Sequence, residues 1–441
     1  MPHDAGRRTA AGCARARVRD GTVWDSVAML GPARTRRSRP RHLASRGAPR
    51  VVPPAASAER PAGGHTHAHT HSHAAPVPAP RRTRLILALL LAPALVATIV
   101  GLVVLWPDSS AVPDRIPALF EGAERVLVTV DGPRDDVTNT VPVRLEDGTV
   151  SAMDAPERVI DLEPGDRVMA IFTGYDGNQW APYAFLDFHR DAPLLLLVGV
   201  FVLVVLLVAR WRGLMALLGL GLAFGLFVTF TIPALLSAQN ALAVALVTSS
   251  AVMYAVLYLA HGFTARTSAA MLGTLAGLVM TTAIGAWAVG AAGVTGAVSE
   301  EAMWLPQVAP GVGLREIALC GLVLAGMGVL NDVTITQAAT VWELRKAAPE
   351  ATRAELFARG MRIGRDHIAS TVYTMAYAYA GAALAVLMNL WLIEQPLAHA
   401  LTSGQIAEEI VRTLVASIGL VLAIPATTAI SVLVAPRPGD A

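Results

Sequence analysis

One carboxylate stands in the middle of a long apolar segment. Residues 317–342 are hydrophobic apart from Asn331, Asp332 and a few hydroxyl and amide side chains that follow them. A charged side chain at the centre of a bilayer costs about 2.5–3.5 kcal/mol on insertion scales. Because such a residue is retained only where protein or water solvates it, we predict a polar region within a bundle of membrane helices.

The polar residues that follow this carboxylate have helical spacing. They are four, four and three positions apart, which places them on one face of a helix: Asp332, Thr336, Thr340 and Glu343, with Gln337 beside them. A carboxylate followed by hydroxyl groups suits a proton or cation path. The alternative is structural, with Asp332 capping a helix or holding a neighbouring helix by hydrogen bonds.

Glycines precede the carboxylate in the same segment. Gly321, Gly326 and Gly328 weaken a helix, whereas asparagine and aspartate are favoured at helix N-caps. This pattern predicts a helix broken within 328–332 that restarts with Asp332 as its cap. Broken helices at mid-membrane bind substrates and coupling ions in many transporters.

The next apolar segment supplies the predicted partners of this stripe. Arg365 and Asp366 stand at its mouth, and Ser370, Thr374 and Tyr377 follow at helical spacing. We predict an inner gate at the Arg-Asp pair and path residues at Thr374 and Tyr377. Two alternatives remain: the arginine serves helix-dipole or headgroup electrostatics, and the small residues permit close helix packing.

A histidine run lies near the N-terminus. Five histidines alternate with other residues, and neutral imidazoles bind zinc, nickel or copper: His65, His67, His69, His71 and His73. The run predicts weak metal binding and no resident cofactor. Motifs of metalloproteases, serine hydrolases, P-loop enzymes and dithiol oxidoreductases are absent from the sequence, so the chain is not predicted to be an enzyme.

Composition points to a membrane protein. Hydrophobic residues make up 54% of the 441 residues and charged residues only 15%. The net charge of +2 gives no sign of nucleic acid binding, and no nucleic acid partner is predicted. Soluble chains carry about a quarter charged residues, and apolar runs of about 20 residues match the hydrocarbon core. We predict an α-helical polytopic protein with about eight spans, near 85–106, 192–209, 213–236, 241–260, 269–292, 317–342, 368–391 and 413–434.

Basic residues in alternate loops predict the orientation. One set of loops carries nearly all of them: Arg81, Arg82, Arg84, Arg210, Arg212, Arg266, Arg345, Lys346, Arg353, Arg359, Arg362, Arg365 and Arg437. The opposite loops carry Arg315 and Arg412. By the positive-inside rule, both termini are predicted to lie in the cytoplasm.

The chain is predicted to have five regions. They are a disordered Arg/Ala/Pro-rich cytoplasmic tail (1–83), a transmembrane signal anchor (84–106), an extracytoplasmic β domain (107–191), a seven-span helical domain (192–434) and a short cytoplasmic tail (435–441). Period-two alternation between Asp-Gly turns predicts a small barrel or sandwich over 107–191. We also predict an amphipathic connecting helix within 343–365 and an interfacial helix within 392–412.

Several motifs resemble the YibE/F family of bacterial membrane proteins. They are DFHR at 187–190, IPALL at 232–236, GFTAR at 262–266, GT at 273–274, GVLNDVTIT at 328–336, EL at 343–344, Phe357 and GMRIGRD at 360–366. The chain departs from the family pattern at Asn331, where an apolar or small residue is expected, and at Tyr373-Thr374, where the family has an Asn-Thr pair. The resemblance implies a multi-pass membrane protein and no established reaction.

Two functions follow as hypotheses. The first is transporter-like movement of a small solute or ion through the helix bundle, with Asp332 as the ionisable centre. The second is a membrane-embedded binding or assembly protein that contacts a partner through its external β domain. The expected partners are the lipid bilayer, a small solute or ion, and either a second copy of the chain or an envelope component.

Overall fold

A computed structural model describes residues 80–120, 122–135, 137–155, 161–173 and 181–436. The chain divides into two compact units, 1–72 and 73–441, and every described residue belongs to the second unit. The predicted tail lies outside the described residues as far as residue 79, and so do the five histidines.

A small closed barrel follows the first helix. Its strands are β1 (Glu124–Val130), β2 (Thr140–Leu145), β3 (Val150–Asp154), β4 (Arg167–Phe172) and β5 (Tyr183–Phe188). The strand order is β1-β2-β3-β5-β4, and only the β3–β5 pair is parallel among these strands. This is the strand order of the OB-fold, a five-stranded Greek-key barrel. The prediction of a small barrel-like β domain is confirmed.

Alternation and turn chemistry explain these strands. Val128 and Val130 point into the barrel and are 1% and 2% exposed, as the period-two pattern predicts. Gly148 adopts a φ of 87° in the turn between β2 and β3, a conformation that favours glycine. The Asp147 carboxylate accepts a hydrogen bond of 2.8 Å from the Thr149 backbone N–H, which fixes the turn.

The remaining elements are helical. They are α1 (Arg81–Val104), α2 (Asp191–Leu226), a π-helical turn (Phe227–Thr231), α3 (Ile232–Leu236), α4 (Ala241–His261), α5 (Ala265–Ala291), α6 (Glu300–Val308), α7 (Leu314–Ala347), α8 (Arg353–Ala382), α9 (Leu384–Leu392), α10 (Leu397–Leu401) and α11 (Gly404–Val434). Of the predicted interfacial helix within 392–412, the structure shows the short α10 and the first residues of α11.

Two predicted features of these helices are not observed. The break within 328–332 is absent, because α7 is a continuous helix of 34 residues. A separate helix within 343–365 is absent as well: α8 begins at Arg353, after a capping box between Thr352 and Glu355, and continues to Ala382. The break in this part of the chain lies one span later, where α8 and α9 are bent by 65°.

Long apolar helices dominate the part of the chain that the structure describes. Six are long and apolar enough to cross a membrane, or seven if the bent α8–α9 pair is one span. This indicates a multi-pass membrane protein. One of the six covers 46 residues, Asp191–Leu236, which corresponds to about 69 Å of straight helix, more than twice the hydrocarbon thickness.

That long segment contains a sharp turn. Arg210 has φ 53° and ψ −130°, which is not helical. A Cβ added to Gly213 would lie against the carbonyl oxygen of Val205, although eight residues of straight helix separate two positions by about 12 Å. The chain therefore folds back on itself at Arg210.

The core of the helical part is a reciprocal contact between α5 and α11. Thr427 fills the space beside Gly273, and Thr281 fills the space beside Gly419. Between these two contacts, Gly277 lies against Ala423. The two helices run antiparallel, and a step of four residues along one is matched by a step of four back along the other. Small residues at this spacing let helix backbones approach closely.

The third core helix, α7, packs against the same pair. Gly277 also meets Leu330, and Gly326 lies next to Thr281. The hydroxyls of Thr274 and Thr334 are hydrogen-bonded at 2.6 Å in the buried contact between α5 and α7. These contacts hold one side of α7 against α5. The opposite side of α7 therefore faces away from α5.

Candidate functional site

The structure places Asp332 on the outer surface of the chain rather than in its interior. Asp332 and Thr336 are exposed, near the middle of α7. Gly328, Ala325 and Gly321 are exposed on the same face, about one, two and three turns away from Asp332. The packing of α5 against the opposite side of α7 turns this face outward.

The hydroxyls of the predicted stripe bond their own helix. Thr336 donates to the carbonyl oxygen of Asp332 at 2.7 Å, and Thr340 donates to the carbonyl oxygen of Thr336 at 2.9 Å. Each hydroxyl oxygen therefore presents only lone pairs to its surroundings. Glu343, at the end of the stripe, pairs with Lys346 at 2.8 Å.

Gln337 has a different position from the rest of the stripe. It is 3% exposed, and its Nε2 donates to the carbonyl oxygen of Gly360 at 3.0 Å and to Thr428 Oγ1 at 2.7 Å. These bonds join α7, α8 and α11. Asn331 Oδ1 is buried and has no hydrogen-bond partner among the described residues.

The predicted gate lies well inside α8 rather than at its start. Arg365 and Asp366 are both exposed, and neither has an ion pair with any described residue. Gly364 lies against Gln337, which places Arg365 at the level of Thr336, about 6 Å along the helix from Asp332.

The other predicted path residues of α8 are exposed as well. Thr374 is exposed and donates to the carbonyl oxygen of Ser370 at 3.1 Å. Tyr377 is 77% exposed, and Tyr373 is 67% exposed. Most of the predicted residues of α7 and α8 are thus exposed, whereas Gln337 is buried and Asn331 and Thr340 are half-buried. Thr374 is nine positions from Arg365, so the two lie on opposite sides of α8.

We call the following exposed residues of the two helices the α7–α8 face: Gly321, Ala325, Gly328, Asp332, Thr336, Arg365, Asp366, Tyr373 and Tyr377. It offers a carboxylate, a guanidinium and hydroxyl acceptors within the long helices α7 and α8. Those oxygens can coordinate a hard cation, and the carboxylate can carry a proton. Among the described residues, no group of three or more histidine, cysteine or acidic side chains is arranged to hold a metal ion.

The threonine–glycine contacts between α5 and α11 were not predicted. The signal was present in the sequence, because Gly273, Gly277, Thr281 and Gly285 recur every four residues. Such spacing marks close helix packing but does not name the partner helix.

The first motif of the family resemblance has a local structural role. The Asp187 carboxylate accepts hydrogen bonds from the Phe188 backbone N–H at 2.8 Å and from Arg190 at 2.7 Å. These bonds, the backbone one first, hold the pKa of Asp187 below its usual value. The motif therefore organises the chain between β5 and α2.

Comparison with known families assigns the helical part of the chain. The family model described as YibE/F-like protein matches residues 197–437, which is more than half of the 441 residues. The match includes α7 and α8 with all the residues of the α7–α8 face. Comparisons with curated proteins and with solved structures give no match. As the resemblance of its motifs predicted, the chain belongs to the YibE/F-like family.

Proposed function

We propose that this protein moves a small solute or ion across the membrane along the α7–α8 face. The observation that carries the proposal is the exposed, unpaired carboxylate of Asp332 near the middle of a long apolar helix. A charge at this depth is expensive, and membrane proteins use such residues in ion and proton pathways.

The chemistry of the face favours a cation or a proton as cargo. Asp332 supplies a negative charge, and the oxygens of Thr336 and Thr340 turn their lone pairs outward because their protons are donated to the helix backbone. Arg365 of α8 lies about one helical turn from the level of Asp332. Its positive charge would repel a cation or stabilise the ionised aspartate. We assign these two charged residues to the centre and the inner gate of the path.

The proposal includes eight crossings with both termini in the cytoplasm. The reversal at Arg210 supports two crossings within Asp191–Leu236, and the bent α8–α9 pair supplies another. Arg210 and Arg212 then share the cytoplasmic side with the basic residues at the end of α7 and the start of α8, in agreement with the positive-inside rule. In this arrangement the barrel lies outside the cytoplasm.

The test is ion flux in proteoliposomes that contain the purified full chain. A pH-sensitive dye and imposed proton, sodium and potassium gradients serve as probes. We expect the Asp332→Asn variant to lose flux, since the amide neither ionises nor attracts a cation. The matched control is Glu316→Gln, which removes an exposed carboxylate from the first turn of α7. An Asp332→Asn protein that folds normally and retains full flux contradicts the proposal.

A second function is supported by the barrel. Its strand order is that of a fold whose outer face binds oligosaccharides and oligonucleotides in other proteins. A protein that captures an envelope partner through the barrel would lose capture on deletion of residues 110–190. Loss of capture with flux intact favours transport as the main activity, whereas loss of the cellular phenotype in a protein that never shows flux favours assembly.

A further inference from the structure

The α7–α8 face has the wrong chemistry to meet lipid. Asp332 and Arg365 are both exposed and have no ion pair among the described residues. Asp332 lies within the apolar stretch of α7, and Arg365 lies about one helical turn from its level. Lipid tails offer neither hydrogen bonds nor counter-charges, so residues of this kind face protein or water in membrane proteins. Something polar therefore covers this face.

The two halves of the face have opposite shapes. On α7, a Cβ added to Gly321 or Gly328 would meet nothing within 4 Å, so this half is a shallow groove of small residues. On α8, Tyr373 and Tyr377 are 67% and 77% exposed and stand out from the surface. A groove of small residues accepts large side chains from an approaching helix.

The groove and the projecting tyrosines lie at matching depths. Gly360 lies against Val341 and Gly364 against Gln337, so each step of four along α8 corresponds to a step of four back along α7. When this antiparallel spacing is continued, Tyr373 stands at the level of Gly328. By the same spacing, Tyr377 stands within one residue of the level of Ala325.

The charges match in the same way. Arg365 stands at the level of Thr336, one turn from Asp332, which is within the reach of an arginine side chain. A twofold axis along the membrane normal keeps each residue at its own depth and makes every contact twice. Under that symmetry, Asp332 of each copy meets the partner's Arg365, and Gly328 meets the partner's Tyr373.

We infer that two copies of this chain form a symmetric dimer in which α7 of each packs against α8 of the other. The partner supplies the guanidinium that pairs with Asp332 and the aromatic side chains that fill the glycine groove. This inference concerns assembly and goes beyond transport, and its tests measure no flux.

Cysteine cross-linking tests the geometry. Two differently tagged copies of the full chain, with Cys13 and Cys320 replaced by alanine, are co-expressed in membranes; one carries Gly328→Cys and the other Tyr373→Cys. Mild oxidation should give a disulfide-linked dimer that contains both tags. The proposed contact is contradicted if this pair gives no cross-link or links only as well as the control pair does. It is also contradicted if two copies that both carry Gly321→Cys link efficiently to each other.

The matched control uses a different face at the same depth. Val279 on α5 is 65% exposed, and the contacts of Gly277 with Leu330 and of Thr281 with Gly326 place it at the level of Gly328. A Val279→Cys copy paired with the Tyr373→Cys copy should give no dimer. Random collisions of copies in the membrane would link both pairs alike.

A charge exchange tests the pairing itself. Asp332→Arg alone and Arg365→Asp alone each place like charges opposite one another in a homodimer. When the two variants are co-expressed with different tags, the mixed dimer restores both opposite-charge pairs. Recovery of mixed dimers should then exceed the random level, which is about half of all dimers for equal pools. Mixed dimers at only the random level would show that Asp332 and Arg365 pair within one chain or not at all. If a charge variant fails to insert into the membrane, the cysteine cross-linking shows whether the dimer forms.

Discussion

At the scale of single residues, two polar side chains near the middle of α7 have opposite roles. Gln337 is buried and holds three helices together through Gly360 and Thr428, whereas Asp332 is exposed and unpaired. The two residues are five positions apart in the sequence, and both are polar, which is unusual in a membrane helix. Their roles differ because they lie on different sides of α7, and only one of these sides packs against neighbouring helices.

Replacement of the buried Gln337 should measurably lower the stability of the protein. Gln337→Leu keeps a similar volume but removes the hydrogen bonds to Gly360 and to Thr428. Interhelical hydrogen bonds in membrane proteins average about 0.6 kcal/mol, so we expect a loss of about 1 kcal/mol. The measurement is thermal unfolding of the purified protein in detergent.

The control for this prediction removes a hydroxyl that joins no helices. Thr229 is exposed and donates only to the carbonyl oxygen of Gly225 in its own helical segment at 2.8 Å. Thr229→Val should leave the melting temperature unchanged. A Gln337→Leu protein that is as stable as this control would show that the observed bonds contribute nothing.

At the scale of elements, the sequence predicted strands better than helix breaks. The alternating valines and the Asp147-Gly148 turn identify the barrel, because strand periodicity and turn chemistry are local properties. The break predicted at 328–332 rested on glycine propensity, which costs only about 1 kcal/mol per residue and is overridden by packing. Gly326 is buried next to Thr281, so in this helix a glycine marks a close contact.

The contact between α5 and α11 gives a sharp prediction for one glycine. A Cβ at Gly419 would overlap the Thr281 side chain, so Gly419→Val forces the two helices apart. Overpacking of this kind typically costs about 1–3 kcal/mol. Gly221→Val is the control, because a Cβ there meets nothing within 4 Å. Equal melting temperatures for the two variants in detergent would contradict the observed packing.

At the scale of the whole molecule, tight packing and exposed polarity occupy opposite sides of α7. The core of α5, α7 and α11 is closed by small residues and hydroxyls, which leaves little space for a path between these helices. The charged residues that the sequence marked lie on the outer surface instead. The unusual polar residues can therefore be identified from the sequence of one chain, whereas the side of the helix that they occupy follows from how the helices pack.

The number of membrane crossings can be measured, because it decides which later loops lie on the same side of the membrane as the barrel. If the chain reverses at Arg210, the barrel and Gln239 lie on the same side and Trp211 lies on the other. Single cysteines at Asp147, Gln239 and Trp211, in a chain without Cys13 and Cys320, are treated with a membrane-impermeant maleimide in intact cells and in inverted vesicles. We expect Asp147→Cys and Gln239→Cys to react from outside and Trp211→Cys from the cytoplasmic side. If Asp191–Leu236 crosses only once, Asp147→Cys and Gln239→Cys react from opposite sides, and Trp211→Cys is shielded within the bilayer.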